Sequence, residues 1–192
     1  MKNVSKSIKL SNLLDAIRDS ELFWVFSFSI LTAISAQISI PIKPVPFTLQ
    51  SMIVLLAGAF LGAKNGAYSQ IVYILMGVIG LPVFAQTADS TIGIARLFGP
   101  TGGYLIAFPL AAFLVGYLTE RSQKYLSIVL SMFAAEMIIL YIGTLYLYAA
   151  YLQNFTEAIE VGAAIFTVWM VVKVFAAATI YFSVSKKHPR IP

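Results

Sequence analysis

"YLSIVLSMFAAEMIILYIGTLYLYAAYL", Tyr125 to Leu152, is predominantly apolar and carries a single charged residue, Glu136. A helix needs roughly 20 predominantly apolar residues to cross the hydrocarbon core of a bilayer. The run exceeds that length and predicts a transmembrane helix, hence a chain whose solvent is partly lipid. The composition agrees: of 192 residues, 59% are hydrophobic and 11% charged, whereas about a quarter of a soluble domain is charged. So few charges cannot cover a surface exposed to water, and so apolar a chain is not disordered.

Five more runs of this kind flank the first: Leu22–Ile40, Phe47–Ala63, Gly66–Leu81, Gly102–Leu118 and Ala158–Val184. The tight turn "AKNG", Ala63 to Gly66, joins the second span to the third. The expectation is an all-α membrane protein, one integral domain whose six transmembrane helices occupy 22–184. Residues 1–21 lack the small-residue cleavage site of a signal peptide. They read as an amphipathic lead-in, with Leu13, Leu14 and Ile17 on a face opposite Asp15, Arg18 and Asp19.

Orientation follows from the basic residues. With both termini cytoplasmic, Lys2, Lys6, Lys9, Arg18, Lys64, Arg121, Lys124, Lys186, Lys187 and Arg190 lie inside, and Lys43 and Arg96 outside. The positive-inside rule selects this topology, with 185–192 as a cytoplasmic tail. The net charge of +5 is thereby a topology signal, and nucleic acid is not a partner. The expected location is the bacterial cytoplasmic membrane, crossed several times.

The outer connections are unusual. "SIPIKPVPFTLQ", Ser39 to Gln50, carries Pro41, Pro44 and Pro46 around Lys43. Proline fixes φ and drives the preceding residue towards extended geometry, which predicts a stiff strap over the bundle. The longer segment Pro82 to Gly103 mixes Gln86, Thr87, Asp89, Ser90, Thr91 and Arg96 with apolar residues. Two ordered outer segments over a small bundle predict a pocket opening outwards. In "GPTGGYL", Gly99 to Leu105, Thr101 is placed to N-cap the next helix. With Gly102 and Arg96 it offers N–H groups and a positive charge to a carboxylate or carbonyl.

Two ionisable residues fall deep within spans, where a charge costs about 2.5–3.5 kcal/mol to insert. Glu136 lies twelve residues past Lys124, and Lys173 thirteen before Lys186. In antiparallel neighbours these depths agree to within about 2 Å by helix rise. The two are expected to face one another or share a polar cavity, either as a packing pair or with Lys173 donating to a ligand. Small residues recur at helical spacing: Ser29 and Ala33 in span one, and Gly58, Gly62 and Gly66 further on. They permit close helix packing, and on span one they could also dock another membrane protein.

Catalysis finds little support. There is no cysteine, and the lone histidine, His188, sits in the tail. Neither a catalytic dyad in the membrane nor a metal site is expected, and no cofactor is implied. A channel would need polar residues through the full depth of the bundle.

"PVPFTLQ", "GAYSQIVYILMGVIGLPVFA" and "GPTGGYL", in this order and spacing, resemble the BioY family, the biotin-specific S components of energy-coupling factor (ECF) transporters. The resemblance covers about Ser27 to Tyr117 well and the last two spans loosely. It implies a six-helix bundle with outer loops capping a biotin pocket. It implies a lid of Pro44, Val45, Pro46 and Phe47, and a docking face including Ser29 and Ala33. The implied partners are a transmembrane coupling protein and two ATP-binding cassette ATPases. The family's last helix commonly reads Gly-Asp, two residues, then Lys. Lys173 matches the lysine, whereas Trp169 and Met170 replace the glycine and aspartate. Glu136 is the expected substitute acceptor, with a different vitamin-like ligand as the second reading. Gln70 and Gln86 are the further polar contacts expected, and Tyr73, Phe84 and Tyr141 the apolar ones.

Overall fold

The computed structural model describes residues 20–86 and 92–185. The amphipathic lead-in, the basic tail and the polar stretch around Asp89 therefore lie outside the described residues, except that Glu21, assigned to the lead-in, opens the first helix. Helix α1 runs Glu21–Gln37 and α2 Gln50–Val78. A 3-10 turn, Gly93–Phe98, precedes α3, Gly102–Arg121. Helix α4, Tyr125–Leu147, continues as one π turn, Tyr148–Leu152. Helix α5, Phe155–Gly162, and the 3-10 turn Ala164–Phe166 lead into α6, Thr167–Ser185. Among the described residues, three helical stretches are long and apolar enough to cross a membrane: Gly102–Arg121, Tyr125–Leu152 and Phe155–Ser185. Glu21–Gln37 is a shorter apolar helix.

Four expected spans take a different form. Span one stops at Gln37, and Ser39–Ile40 becomes strand β1, paired antiparallel with β2, Phe47–Thr48. The proline strap is thus the loop of a small hairpin, and its Lys43–Pro44 bond is cis. Spans two and three are the arms of α2, which reverses direction at Gly62 and not at "AKNG". Gly62 holds φ 80° and ψ −177°, a region open in practice to glycine alone. A Cβ on Gly66 would lie 2.8 Å from the Gly58 Cα. Along an unbroken helix those two residues would stand about 12 Å apart. The Glu120 carboxylate accepts the Ala63 N–H at 3.1 Å, satisfying a donor that the start of the second arm leaves open. Span six is interrupted between Gly162 and Thr167.

Lipid is as apolar as the helix surfaces, so burial alone does not draw these helices together. Close approach of small residues does. Gly58 abuts the Ala112 carbonyl, and Gly116 the Gly62–Ala63 backbone, locking α2 to α3. Gly103 abuts Tyr146, and Gly143 lies under the ring of Tyr104, locking α3 to α4. In each case the missing side chain leaves room for a backbone or a ring.

Candidate functional site

The hairpin, the segments 82–86 and 92–101 and the break before α6 gather at one end of the bundle. Phe47 packs on Phe166 with ring centroids 4.4 Å apart, and on Trp169 at 6.1 Å. The Tyr146 hydroxyl donates to the Leu97 carbonyl at 3.2 Å. Beneath them lies a cavity with about 610 Å³ of empty space, its open mouth included.

Its polar wall comes from several elements. Lys173 on α6 and Glu136 on α4 stand 3.6 Å apart, their side chains 11% and 2% exposed. Lys173 also donates to the Ser51 hydroxyl in the first turn of α2. The Glu136 Oε1 accepts no hydrogen bond from the described residues. Arg96, buried on the 3-10 turn, donates to the Ala85 carbonyl. Thr48, Gln50 and Thr101 complete the polar lining. The rest is apolar, from Val45, Pro46, Phe84, Tyr104, Phe108 and Phe166 among others. A largely apolar chamber with a few convergent donors and acceptors is the usual form of a small-molecule site.

The chain shapes this wall locally. Phe84 stands edge-on to Tyr73, centroids 5.6 Å apart, and its ring fills the space beside Gly77. Gln37, at the end of α1, donates to the Phe84 carbonyl at 3.3 Å, tying the segment down. Gln50 donates to the Tyr73 hydroxyl at 2.6 Å, and that hydroxyl to the Val83 carbonyl at 3.3 Å.

Of the residues expected at the site, Lys173, Glu136, Arg96, Thr101 and Phe84 line the cavity, as do Val45 and Pro46 of the lid. Thr101 holds the N-cap position, but its side chain makes no capping hydrogen bond. Phe47 instead lines a second, apolar groove between the hairpin and α6, where it meets Lys173 and Trp169. Pro44 is half-buried in the hairpin loop and outside the lining.

Five of the expected site residues lie elsewhere. Tyr141 is 69% exposed on α4. Glu136 projects into the cavity, and five residues along a helix of 3.6 per turn places Tyr141 well round from it. Gln86 is exposed. Gln70 is buried towards α1, accepting from Thr32 at 3.3 Å and donating to Ser69 at 2.9 Å. Tyr73 stands one layer behind Phe84. Gly102 is a packing residue, because any side chain there would strike the Leu97 carbonyl.

The two residues expected on the docking face differ in exposure. Ser29 is fully buried and donates to the Ser69 carbonyl at 2.6 Å. Ala33 is half-buried, and the exposed stripe of α1 is large and apolar: Phe26, Ile30 and Ile34.

Ser51, Tyr104, Phe108 and Phe166 were not singled out from the sequence. The signal was helical spacing: Tyr104 and Phe108 follow Thr101 by three and seven residues, and Phe166 precedes Lys173 by seven.

A helical bundle with a mixed cavity under loops at one end has the form of a small-molecule-binding membrane protein, and a solved structure shares the fold. The fold matches, with a TM-score of 0.78 and 24% identity, the crystal structure of the S-component for biotin from an ECF-type ABC transporter, over 86% of this chain and 90% of that one. A sequence model of the BioY family matches residues 5–190, and the chain belongs to that family. It is 40% identical over 164 residues to the probable biotin transporter BioY of Pyrococcus horikoshii, covering 85% of this chain and 95% of that protein. It is 39% identical over 159 residues to the biotin transporter BioY of Thermotoga maritima, covering 83% and 92% respectively.

Proposed function

We propose that this chain captures biotin from outside the cell in an intramembrane pocket and delivers it across the cytoplasmic membrane as the substrate-binding subunit of an ECF transporter. The observation that carries this reading is the Lys173–Glu136 pair on the wall of an otherwise apolar cavity. Biotin has a neutral ureido ring with two N–H donors and one carbonyl acceptor, a fused sulfur ring, and an aliphatic tail ending in a carboxylate. The Glu136 Oε1 is placed to accept a ureido N–H, and the ammonium of Lys173 and the hydroxyl of Ser51 to meet the carbonyl. Phe84, Tyr104 and Phe108 pack the sulfur ring and chain. Arg96 and Thr101 receive the carboxylate. No bond is made or broken.

In this reading the six apolar runs cross the bacterial cytoplasmic membrane and both termini face the cytoplasm. The hairpin and the segment after α2 cap the site from outside. A transmembrane coupling protein and two ATP-binding cassette ATPases drive the cycle, and the coupling protein meets the exposed stripe of α1. The names of the relatives and the match to an S-component support this assembly.

A second reading, another vitamin-like ligand, draws on Met170, a buried apolar residue where a carboxylate is common in the family. Calorimetric titration of the detergent-purified protein distinguishes the two. Biotin binding at micromolar affinity or tighter is expected. No heat with biotin, but saturable heat with another vitamin, would overturn the assignment.

A further inference from the structure

The last apolar run breaks where it leaves the cavity. Helix α5 ends at Gly162, and α6, which carries Lys173, begins at Thr167. A break frees backbone groups, and in a membrane each needs a partner within the protein. The Gly162 carbonyl finds one in the Tyr104 hydroxyl, which donates to it at 2.8 Å. The same tyrosine turns its ring to the cavity and packs on Gly143, where no side chain intervenes. A second acceptor stands close by. The buried Thr144 Oγ1 is within reach of the Tyr104 hydroxyl and is otherwise without a hydrogen-bond partner among the described residues. A Cβ built on Gly162 would lie 2.9 Å from the Tyr104 hydroxyl and 3.0 Å from Thr144 Oγ1.

From this geometry we infer that Tyr104 is a positioning residue that couples occupancy of the cavity to the α5–α6 break. Its phenol has two places to donate. On the Gly162 carbonyl it holds the end of α5 against α3 and α4. Turned to Thr144, it releases that carbonyl without being left unpaired, which would be costly for a buried hydroxyl. A ligand resting on the ring holds it against Gly143 and so holds the hydroxyl on Gly162. By linkage, the closed break then strengthens the ligand's hold in equal measure. The coupling rests on the proposed biotin site for its ligand, but the latch itself rests on the tyrosine and the break alone.

The test is amide hydrogen exchange on the full chain in detergent, with and without saturating biotin. In the parent protein biotin is expected to slow exchange across 155–166. In Tyr104→Phe, biotin still binds, roughly tenfold more weakly. Exchange at the cavity walls on α2 and α6 still responds, but that of 155–166 no longer does. Full protection of 155–166 by biotin in Tyr104→Phe, or none in a parent that binds biotin, overturns the coupling. Gly162→Ala provides an independent arm. It keeps the ring in the cavity and crowds the hydroxyl from its acceptor, so the same loss of coupling is expected, and retained coupling counts against the proposal. Should the parent bind no biotin, the assignment of the ligand fails, and the latch is judged without ligand. Tyr104→Phe then speeds exchange over 155–166, and an unchanged rate sinks it.

Discussion

The ring of Phe84 occupies the space that a side chain on Gly77 would need, so the second arm of α2 and the cavity wall interlock through an absent Cβ. Gly77→Ala is therefore expected to expel Phe84 from the cavity wall. Overpacking of this kind costs typically about 1–3 kcal/mol. A lower melting temperature together with about tenfold weaker biotin binding, both read on purified protein, is the expected result. Unaltered affinity would place Phe84 outside the binding surface.

Lys173→Met strands Glu136, whose side chain is 2% exposed. Breaking a buried pair by removing one partner costs about 3–5 kcal/mol, so a large drop in melting temperature is expected. Adding Glu136→Gln removes the orphaned charge and restores most of the stability. Biotin binding stays lost in both variants, because the ammonium is a ligand contact in the proposed pose. A double variant that recovers binding along with stability would reduce Lys173 to a packing role.

Arg96 is proposed to receive the tail carboxylate. Arg96→Gln should weaken biotin by about 10- to 100-fold, the range for losing one hydrogen bond to a charged group. The amide of biotin, which lacks the charge, should bind parent and variant with similar affinity. Competition titration of acid against amide checks this. Equal losses for both would mean that Arg96 only shapes the loop through the Ala85 carbonyl.

Gly62 holds the φ of 80° at which α2 reverses, with the Glu120 carboxylate beside it. Gly62→Ala brings backbone strain of about 1–3 kcal/mol, together with a clash against that carboxylate. Thermal unfolding should show the loss, and Glu120→Ala should relieve only the part due to the clash. A melting temperature unchanged by Gly62→Ala would contradict the reversal at this residue.

Ser29 is buried against Ser69, so it has no surface to offer a partner. Ser29→Ala is expected to cost well under about 1 kcal/mol, as interhelical hydrogen bonds in membranes usually do, and to leave co-purification with a coupling subunit intact. Ile30→Asp, on the exposed stripe, should abolish co-purification. The reverse pattern would return the docking face to the small residues.

What the amino-acid order determined by itself was the class of solvent and the axial position of the charges. Scarcity of charge requires lipid whatever the packing, and helix rise alone sets Glu136 and Lys173 at one depth, where they stand 3.6 Å apart. Proline and glycine punctuation marked the two segments that flank the cavity, because those constraints are local to the backbone. Tertiary structure decided which side of each helix faces inwards. In a soluble helix, alternation of polar and apolar residues reveals the buried side. Here lipid and protein interior are equally apolar, so apolarity does not separate Tyr141, turned outwards, from Tyr104, turned to the cavity, and only the helical spacing of Tyr104 from Thr101 hints at its side. The same degeneracy hid the inward turn of Ser29 and the role of Gly62. A small residue reads alike whether it packs, docks or reverses the chain, and only its neighbours in space tell these apart.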